Sequence, residues 1–479
     1  MNQASISRRS FLAQSAMTSL LATSPAFAQS IVQNKRLPNI IIVFTDDQGY
    51  EDLGVFGAEG FQTPNLDRMA NEGVQFTDFY VAQPVCGASR AALLTGCYPN
   101  RNSLLGAPDH RATHGIHENE MTIAECLKPL GYATGLYGKW HLGHRKPFLP
   151  TRHGFDDYFG LPYSNDMWPK HPQRPDAYPP LPLIEGEEVI ETNPDQSQLT
   201  TWYTERAVKF IEAHHDQPFF LYVAHSMPHV PLFVSDKFEG ATKRGLYGDV
   251  IREIDWSVGQ IRETLQKYQL EEDTFFVFTS DNGPWLSYGT RGGSADPLRE
   301  GKGTTWEGGV RVPTVMWWPG QAPAGSVCQE PAMTIDLLPT IAAITGGRLP
   351  NHPIDGKDIR NLLMKPETSQ SPHEALFFYW GRDLQAVRSG PWKMHYPHRY
   401  RTLAGREGGS GGQPVRYEQH WTDFALYNLR EDIGETNNLY TERPDVVSRM
   451  IAHSESIIEE LGDSNREGSQ VRPAGQIEG

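Results

Sequence analysis

The chain has 479 residues, of which 38% are hydrophobic, and a formal net charge of −15 at pH 7. This length allows one large domain and a smaller one with a sizeable core, and the acidic balance argues against a nucleic-acid partner. A site for an anionic ligand must therefore concentrate positive charge locally.

The N-terminus predicts an export signal. Arg8 and Arg9 precede a short apolar stretch, and Ala26-Phe27-Ala28 supplies the small residues of a cleavage site. This pattern is similar to a twin-arginine signal, so residues 1–28 are expected to engage the twin-arginine export machinery. No later run reaches the ~20 apolar residues of a membrane span. We therefore expect an exported, periplasmic protein without stable membrane insertion.

Two predicted buried strands end in acidic turns. The apolar run at 39–44 leads to Asp46 and Asp47, and the run at 274–280 leads to Asp281 and Asn282. In open α/β sheets, sites gather at the carboxyl ends of the strands, so these turns can converge. Three carboxylates and an amide, without an adjacent His or Cys cluster, favour Ca²⁺ or Mg²⁺ over zinc.

Cys86 lies four residues before Arg90, in a turn of small residues that leads into an apolar helix. The small residues let a helix begin beside the cysteine, and Arg90 can return over the turn to a charged group. The pattern predicts a reactive residue that is presented to a ligand. The alternative is a structural cysteine at a strand-to-helix turn.

Basic groups follow two further predicted strands. Lys139 and His141 point to the same face if their segment stays extended, and an ammonium and an imidazole together could grip a tetrahedral anion and handle a proton. His225 and His229 follow the second strand, although a lone histidine is more often structural. Lys302 lies between two glycines, in a segment whose flexibility favours a ligand role over packing.

These segments resemble those of type I sulfatases, the arylsulfatase A-like members of the alkaline phosphatase superfamily. The resemblance extends from residue 38 to about residue 345, with similar features near the C-terminus. The matching segments are 46–50, 84–96, 138–143, 161–166, 280–283 and 301–303.

The resemblance implies a nucleophile and a metal. Cys86 would be converted by a formylglycine-generating maturase to 3-oxoalanine (Cα-formylglycine), whose hydrate attacks sulfur. Ca²⁺, in preference to Mg²⁺, would be bound by Asp46, Asp47, Asp281 and Asn282 together with the modified Cys86.

The resemblance also implies the groups that surround the sulfate. They are Arg90, Lys139, His141, Ser164, His229 and Lys302. His229, with Lys302, would protonate the leaving oxygen, and His141 or a neighbouring base would take the proton of the second hydroxyl. His225 is the weaker histidine candidate, because the residue of the family precedes x-Pro as His229 does.

The implied function is hydrolysis of a sulfate ester in a sulfated carbohydrate or an aryl sulfate. One alternative is a phosphoester or phosphonate ester hydrolase on the same fold. Another is a non-catalytic binder of sulfated glycans, in which Cys86 stays unmodified.

Two positions depart from the common form of the cysteine motif. Ala88 replaces the commoner proline, and Cys97 stands where many members have arginine. Because this downstream stretch helps the maturase to recognise its substrate, we expect less efficient conversion of Cys86 or a different maturase. The four cysteines are too few for a disulfide scaffold, and pairing of Cys97 with Cys126 stays open.

The predicted fold class is α/β. A large mixed, mostly parallel sheet flanked by helices, as in the alkaline phosphatase and sulfatase fold, is expected in residues 29–370. A smaller C-terminal α+β subdomain with an antiparallel sheet is expected in residues 371–479. Predicted helices lie at 201–213 and 247–270, predicted C-terminal strands at 375–380, 385–388, 392–396 and 423–429, and predicted loops at 168–183 and 405–412.

Overall fold

The computed structural model describes residues 36–477, so the export signal predicted at 1–28 lies outside the described residues. The helices, in chain order, are α1 (Pro64–Asn71), α2 (Cys86–Thr95), α3 (Pro99–Asn102), α4 (Ile123–Leu127), α5 (Leu199–His214), α6 (Leu246–Lys267), α7 (Glu307–Val310), α8 (Leu337–Thr345), α9 (Arg360–Met364) and α10 (Pro444–Leu461). Within residues 36–477, no helix combines the length and the apolar character that crossing a membrane requires.

The strands, in chain order, are β1 (Asn39–Thr45), β2 (Val74–Phe76), β3 (Phe79–Tyr80), β4 (His114–Gly115), β5 (Ala133–Gly138), β6 (Asp157–Gly160), β7 (Pro182–Glu185), β8 (Glu188–Thr192), β9 (Phe219–Ala224), β10 (Thr274–Ser280), β11 (Thr314–Trp317), β12 (Ser326–Cys328), β13 (Ala332–Met333), β14 (Leu376–Trp380), β15 (Asp383–Ser389), β16 (Trp392–His395), β17 (His398–Thr402), β18 (Glu418–Thr422), β19 (Ala425–Asn428) and β20 (Gly475–Gln476). Ten of them form one sheet, in the order β12-β2-β11-β10-β1-β9-β5-β6-β7-β8. The central run from β10 to β6 is parallel, and antiparallel pairs flank it on both sides. The mixed, mostly parallel sheet predicted from the sequence is confirmed.

Helices cover both faces of this sheet. Alternate residues of β1 point to opposite faces, so Ile40 and Ile42 pack into a core with residues of α2, α4 and α8. Ile41 and Val43 pack on the other side against α5 and α6, the two helices that the sequence predicts at 201–213 and 247–270. Burial on both faces explains why β1 is a continuous apolar run.

The register of the parallel strands aligns their carboxyl ends. Thr45 of β1 pairs with Ser280 of β10, and Phe44 pairs with Ala224 of β9. Ala224 in turn pairs with Gly138 of β5. The residues that follow these four strands therefore leave the sheet at one edge, where the sequence predicts the polar site.

The C-terminal region contains the predicted antiparallel sheet, in the order β14-β15-β16-β19, with α10 packed against it. The segment at 405–412 connects β17 to β18, which form a separate two-stranded ribbon. The predicted loop at 168–183 has no regular structure before β7 begins at Pro182. Cys97 and Cys126 are both free thiols, so they do not pair in this structure.

Candidate active site

The two acidic turns predicted from the sequence meet at the carboxyl edge of the sheet. The backbone N–H of Asp47 donates to Oδ1 of Asp281 over 3.1 Å, and Nδ2 of Asn282 donates to Oδ1 of Asp47 over 2.8 Å. Asp47 has a φ of +64°, a left-handed conformation that aspartate tolerates better than most residues. All three side chains are buried, as is that of Asp46.

Cys86 is the first residue of α2 and is buried beside the acidic turns. Its Sγ and carboxylate oxygens of Asp46 and Asp281 lie within 4.8 Å of one another. The next residue must be glycine, because a Cβ at Gly87 would lie 2.6 Å from the carbonyl oxygen of Gly106. Burial raises the pKa of the Cys86 thiol, although nearby lysines oppose this shift. The unmodified side chain is therefore a protonated thiol and a weak nucleophile.

Arg90 joins the helix to the acidic turns. Its Nη2 lies 2.9 Å from Oδ2 of Asp281 and 3.3 Å from Oδ2 of Asp46. Its Nη1 donates to the carbonyl oxygen of Lys139 over 3.2 Å. Burial disfavours the charged guanidinium, but Asp281 and Asp46 outweigh burial and raise the pKa of Arg90. Arg90 therefore remains a fixed cation against the carboxylates.

Two lysines approach the same carboxylates from other elements. Nζ of Lys139 donates to the carboxylate of Asp46 and, over 3.3 Å, to Oγ of Ser164. Nζ of Lys302 donates to Oδ2 of Asp47 over 2.7 Å. Although burial opposes ionisation, Asp46 raises the pKa of Lys139 and Asp47 raises that of Lys302, so both stay charged. Lys302 is buried and ion-paired, so the flexible segment expected around it is wrong.

His229 completes the group on the side of Lys302. Its Nε2 lies 3.4 Å from Oγ of Ser164 and 3.6 Å from Oδ2 of Asp47. In the neutral ring, Nδ1–H donates to the carbonyl oxygen of Val230 over 2.6 Å, which leaves Nε2 directed to the site. Burial and Lys302 lower the pKa of His229, although Asp47 opposes the shift. Once protonated, this ring is a strong proton donor.

His141 reaches the site in a different way from that expected. Strand β5 ends at Gly138, and His141 has a φ of +63°, so Lys139 and His141 do not share the face of an extended segment. Nε2 of His141 lies 3.1 Å from the carbonyl oxygen of Pro108, while Nδ1 is buried and has no hydrogen-bond partner among the described residues. Burial and Lys139 lower the pKa of His141 well below its usual value. Its neutral ring therefore carries a lone pair that can accept a proton.

His225 does not join this group. Its ring is buried, and neither nitrogen has a hydrogen-bond partner within residues 36–477. Burial alone lowers its pKa to about 3. His225 therefore remains neutral in this structure.

Asp166 and Trp285 also lie beside the site, although neither is predicted from the sequence to bind metal or sulfate. Asp166 belongs to the segment 161–166 that resembles sulfatases, and its side chain is largely buried. Burial raises the pKa of its carboxyl, but His229 and His171 outweigh burial, so the pKa is lowered. The ring centroid of Trp285 lies 5.6 Å from that of His229 and 4.6 Å from Nζ of Lys302. Its position beside these two groups depends on tertiary packing, which no spacing in the sequence records.

The acidic turns fit a hard divalent cation. Oδ1 of Asp46 and Oδ1 of Asn282 are buried, and neither has a hydrogen-bond partner in the part of the chain that the structure describes. Buried polar atoms without partners are rare in folded proteins. Together with the carboxylates of Asp47 and Asp281, these oxygens are the donors that Ca²⁺ and Mg²⁺ prefer.

Known proteins resemble this chain along most of its length. A family model described as Sulfatase matches residues 38–347, and one described as the C-terminal region of aryl-sulfatase matches residues 371–474. The N-acetylgalactosamine-6-sulfatase of Mus musculus is 41% identical over 376 residues, which cover 75% of this chain and 72% of that protein. Arylsulfatase A of Bos taurus is 42% identical over 428 residues, which cover 84% and 83%. The crystal structure of the PsFucS1 sulfatase from Pseudoalteromonas sp. matches with a TM-score of 0.79 at 28% identity, covering 89% of this chain and 91% of that chain.

Proposed function

This chain belongs to the type I sulfatase family and hydrolyses sulfate esters, and we infer that its substrate is a sulfated carbohydrate. We further infer that its nucleophile is a hydrated formylglycine made from Cys86 and that its metal is Ca²⁺. The observation that carries this proposal is the position of Cys86. It begins α2 beside a buried group of carboxylates, and Lys139 and Lys302 both act to lower the pKa of its thiol.

Two observations support a carbohydrate substrate. The mouse relative is named for the 6-sulfate of an amino sugar. In this chain, Trp285 is only half-buried and lies against His229, so its ring offers a surface on which a sugar can stack.

The residues around Cys86 suit attack on a sulfate. When Cys86 is converted to formylglycine and hydrated, it supplies one hydroxyl that attacks sulfur and a second whose proton can be removed later. Lys139, Lys302 and Arg90 oppose the negative charge of the sulfate oxygens. Asp46, Asp47, Asp281 and Asn282 would hold the Ca²⁺, which adds further positive charge at those oxygens.

Two histidines suit opposite proton transfers. A bound sulfate ester adds negative charge beside His229 and favours its protonated form, which can then donate from Nε2 to the leaving oxygen, with Lys302 alongside. His141 suits the second half-reaction, because its free Nδ1 can take the proton of the remaining hydroxyl. Sulfate then leaves as the aldehyde is restored. A serine in place of Cys86 has no second hydroxyl and could not release sulfate in this way.

We further propose that residues 1–28 direct the protein through the twin-arginine machinery to the periplasm. This route carries folded proteins. The maturase can therefore act on Cys86, and the metal can bind, before the chain crosses the membrane.

The mass of the tryptic peptide that contains Cys86 tests the nucleophile directly. Conversion to the aldehyde removes sulfur and lowers the mass, and preparations with more converted peptide should release more sulfate. Cys86→Ser, produced in a host that modifies only cysteine, is the matched inactive control. Full sulfatase activity from protein that carries only the thiol would overturn the mechanism.

The same preparations test the alternative functions. Faster turnover of phosphate or phosphonate esters than of sulfate esters would favour the phosphoester hydrolase. An unmodified Cys86 in protein that binds sulfated glycans without turnover would favour the non-catalytic binder.

A further inference from the structure

Arg401 extends from strand β17 of the C-terminal region to the Lys302 segment. Its Nε donates to the carbonyl oxygen of Lys302 over 2.8 Å, and its Nη2 donates to the same oxygen. A Cβ at Gly303 would lie 2.6 Å from the guanidinium carbon of Arg401. The C-terminal region therefore places a guanidinium directly against the segment that carries an active-site lysine.

Two aromatic rings fix this guanidinium. It lies 5.8 Å from the ring centroid of Trp285 and 4.8 Å from that of Tyr417. The Tyr417 hydroxyl accepts a hydrogen bond of 3.0 Å from the backbone N–H of Ser287 and is itself held in place. Because Trp285 also contacts His229, Arg401 lies on the side of the site where the leaving group departs.

The charge of Arg401 is not compensated. Arg90, Lys139 and Lys302 each contact a carboxylate, whereas no carboxylate of the described residues forms an ion pair with Arg401. Burial lowers the pKa of Arg401, although Tyr417 and Asp47 oppose that shift. The two N–H groups of Nη1 donate to no described residue. This half-buried cation therefore keeps two N–H donors that no described residue accepts, and an anionic group of a ligand can accept hydrogen bonds from them.

We propose that Arg401 determines specificity by binding a second anionic group, a carboxylate or a further sulfate, on the leaving-group side of the scissile sulfate ester. A guanidinium fixed by two hydrogen bonds and two rings is preorganised for charge-assisted hydrogen bonds to either group. This assignment rests on the sulfatase function proposed above. The large sheet binds the scissile sulfate, and the C-terminal ribbon recognises a neighbouring substituent.

Binding to the calcium-loaded Cys86→Ser protein tests the proposal without turnover. Arg401→Met is compared with Arg399→Met, which makes the same change at an exposed residue of the same strand. Dissociation constants are measured by calorimetry for three probes. These are N-acetylgalactosamine 6-sulfate, N-acetylgalactosamine 4,6-disulfate and a 6-sulfated disaccharide that carries a uronic acid.

The expected result is that at least one probe with a second anion binds about 10- to 100-fold more tightly than the monosulfate. Arg401→Met should remove this preference, and Arg399→Met should retain it. The probe that loses affinity identifies a carboxylate or a sulfate as the second anion. If the parent protein shows no preference, or if Arg401→Met weakens all three probes equally, the proposal is wrong; an equal loss would mean that Arg401 only positions Lys302. Sulfate release by converted wild-type protein tests the proposed function separately.

Discussion

The structure contains two buried groups of charged residues, and they differ in how their carboxylates are satisfied. The acidic centre comprises Asp46, Asp47, Arg90, Lys139, Asp281 and Lys302. The second network comprises Asp78, Glu307, Arg311, Arg388, Lys393 and Glu435. Both groups alternate cations and carboxylates, and all members are buried. In the acidic centre, Oδ1 of Asp46 has no hydrogen-bond partner in residues 36–477.

Every carboxylate oxygen of the second network accepts a hydrogen bond. Glu307 accepts from Lys393 over 2.8 Å at Oε1 and from the Tyr80 hydroxyl over 2.7 Å at Oε2. Glu435 accepts from His395 over 2.8 Å at Oε1 and from the backbone N–H of Glu307 over 2.7 Å at Oε2. The two oxygens of Asp78 are bonded by the two arginines of the network.

This difference separates a structural network from a ligand site. Buried charge is present in both groups, so burial alone does not identify the site. A buried carboxylate oxygen without a donor distinguishes the acidic centre from the second network, because such an atom is costly unless a ligand binds. The acidic centre should therefore respond to a divalent cation, and the second network should not.

The largest expected effect is in the acidic centre. Asp281→Ala or Asp47→Ala removes a charged ligand of the proposed metal and should lower kcat/KM by about 10³-fold or more. Calcium should stabilise the wild type against thermal unfolding but not these variants, because a ligand that binds only the folded state raises its stability. Asp281→Asn is the control that keeps the shape of the side chain. Normal turnover of any of these variants after chelation would show that the metal assignment is wrong.

In the second network, Lys393→Met should change stability and not the metal site. The substitution leaves Glu307 and Glu435 as buried carboxylates without their shared cation, and it should reduce the free energy of unfolding by about 3–5 kcal/mol. Lys209→Met, at an exposed lysine, should change it by less than about 0.5 kcal/mol. Denaturant unfolding measures both variants. A large loss of calcium affinity in folded Lys393→Met would contradict the separation of the two groups.

Lys139 of the acidic centre and His141 should affect different steps. Lys139→Ala removes a fixed cation and should cost about 2–4 kcal/mol of transition-state stabilisation, which kcat/KM reports. His141→Ala should slow the second half-reaction, so that sulfate remains attached to the protein and adds mass to the Cys86 peptide. Equal rates of turnover in His141→Ala and the wild type would reject that role.

The sequence predicts the acidic centre better than its surroundings. The central residues of β1 (40–44) and β10 (275–278) are apolar because both faces of these strands are buried. The parallel strands bring the acidic turns that follow them to one edge of the sheet. No pattern in the sequence indicates the positive φ of His141. The prediction that Lys139 and His141 lie on the same face of an extended segment is therefore wrong.

The second network and Arg401 could not be predicted in this way. The members of the network occur singly at distant positions, and no periodicity connects Asp78 with Arg388. Arg401 reaches the Lys302 carbonyl across 99 residues of sequence, through packing that only the folded chain provides.

The smallest expected effect is the pH dependence of stability that Glu435 of the second network contributes. Burial and Glu307 raise the pKa of Glu435 from 4.5 to about 7, although Lys393 opposes the shift. The folded state therefore holds this proton more tightly than the unfolded state. The resulting stability is fully present below pH 4.5 and is lost as the pH rises through about 7.

Glu435→Gln removes this titration. The stability of the variant relative to the wild type should therefore rise between about pH 5 and pH 8, by at most about 1.4 kcal/mol per pH unit. Glu442→Gln, at an exposed glutamate, should give a difference that does not change with pH. Denaturant unfolding across this pH range measures both differences. A difference for Glu435→Gln that does not change with pH would show that Glu435 does not hold this proton in the folded state. Because Glu435 belongs to the network whose oxygens are all satisfied, its substitution should leave calcium affinity unchanged, whereas substitutions of the acidic centre should not.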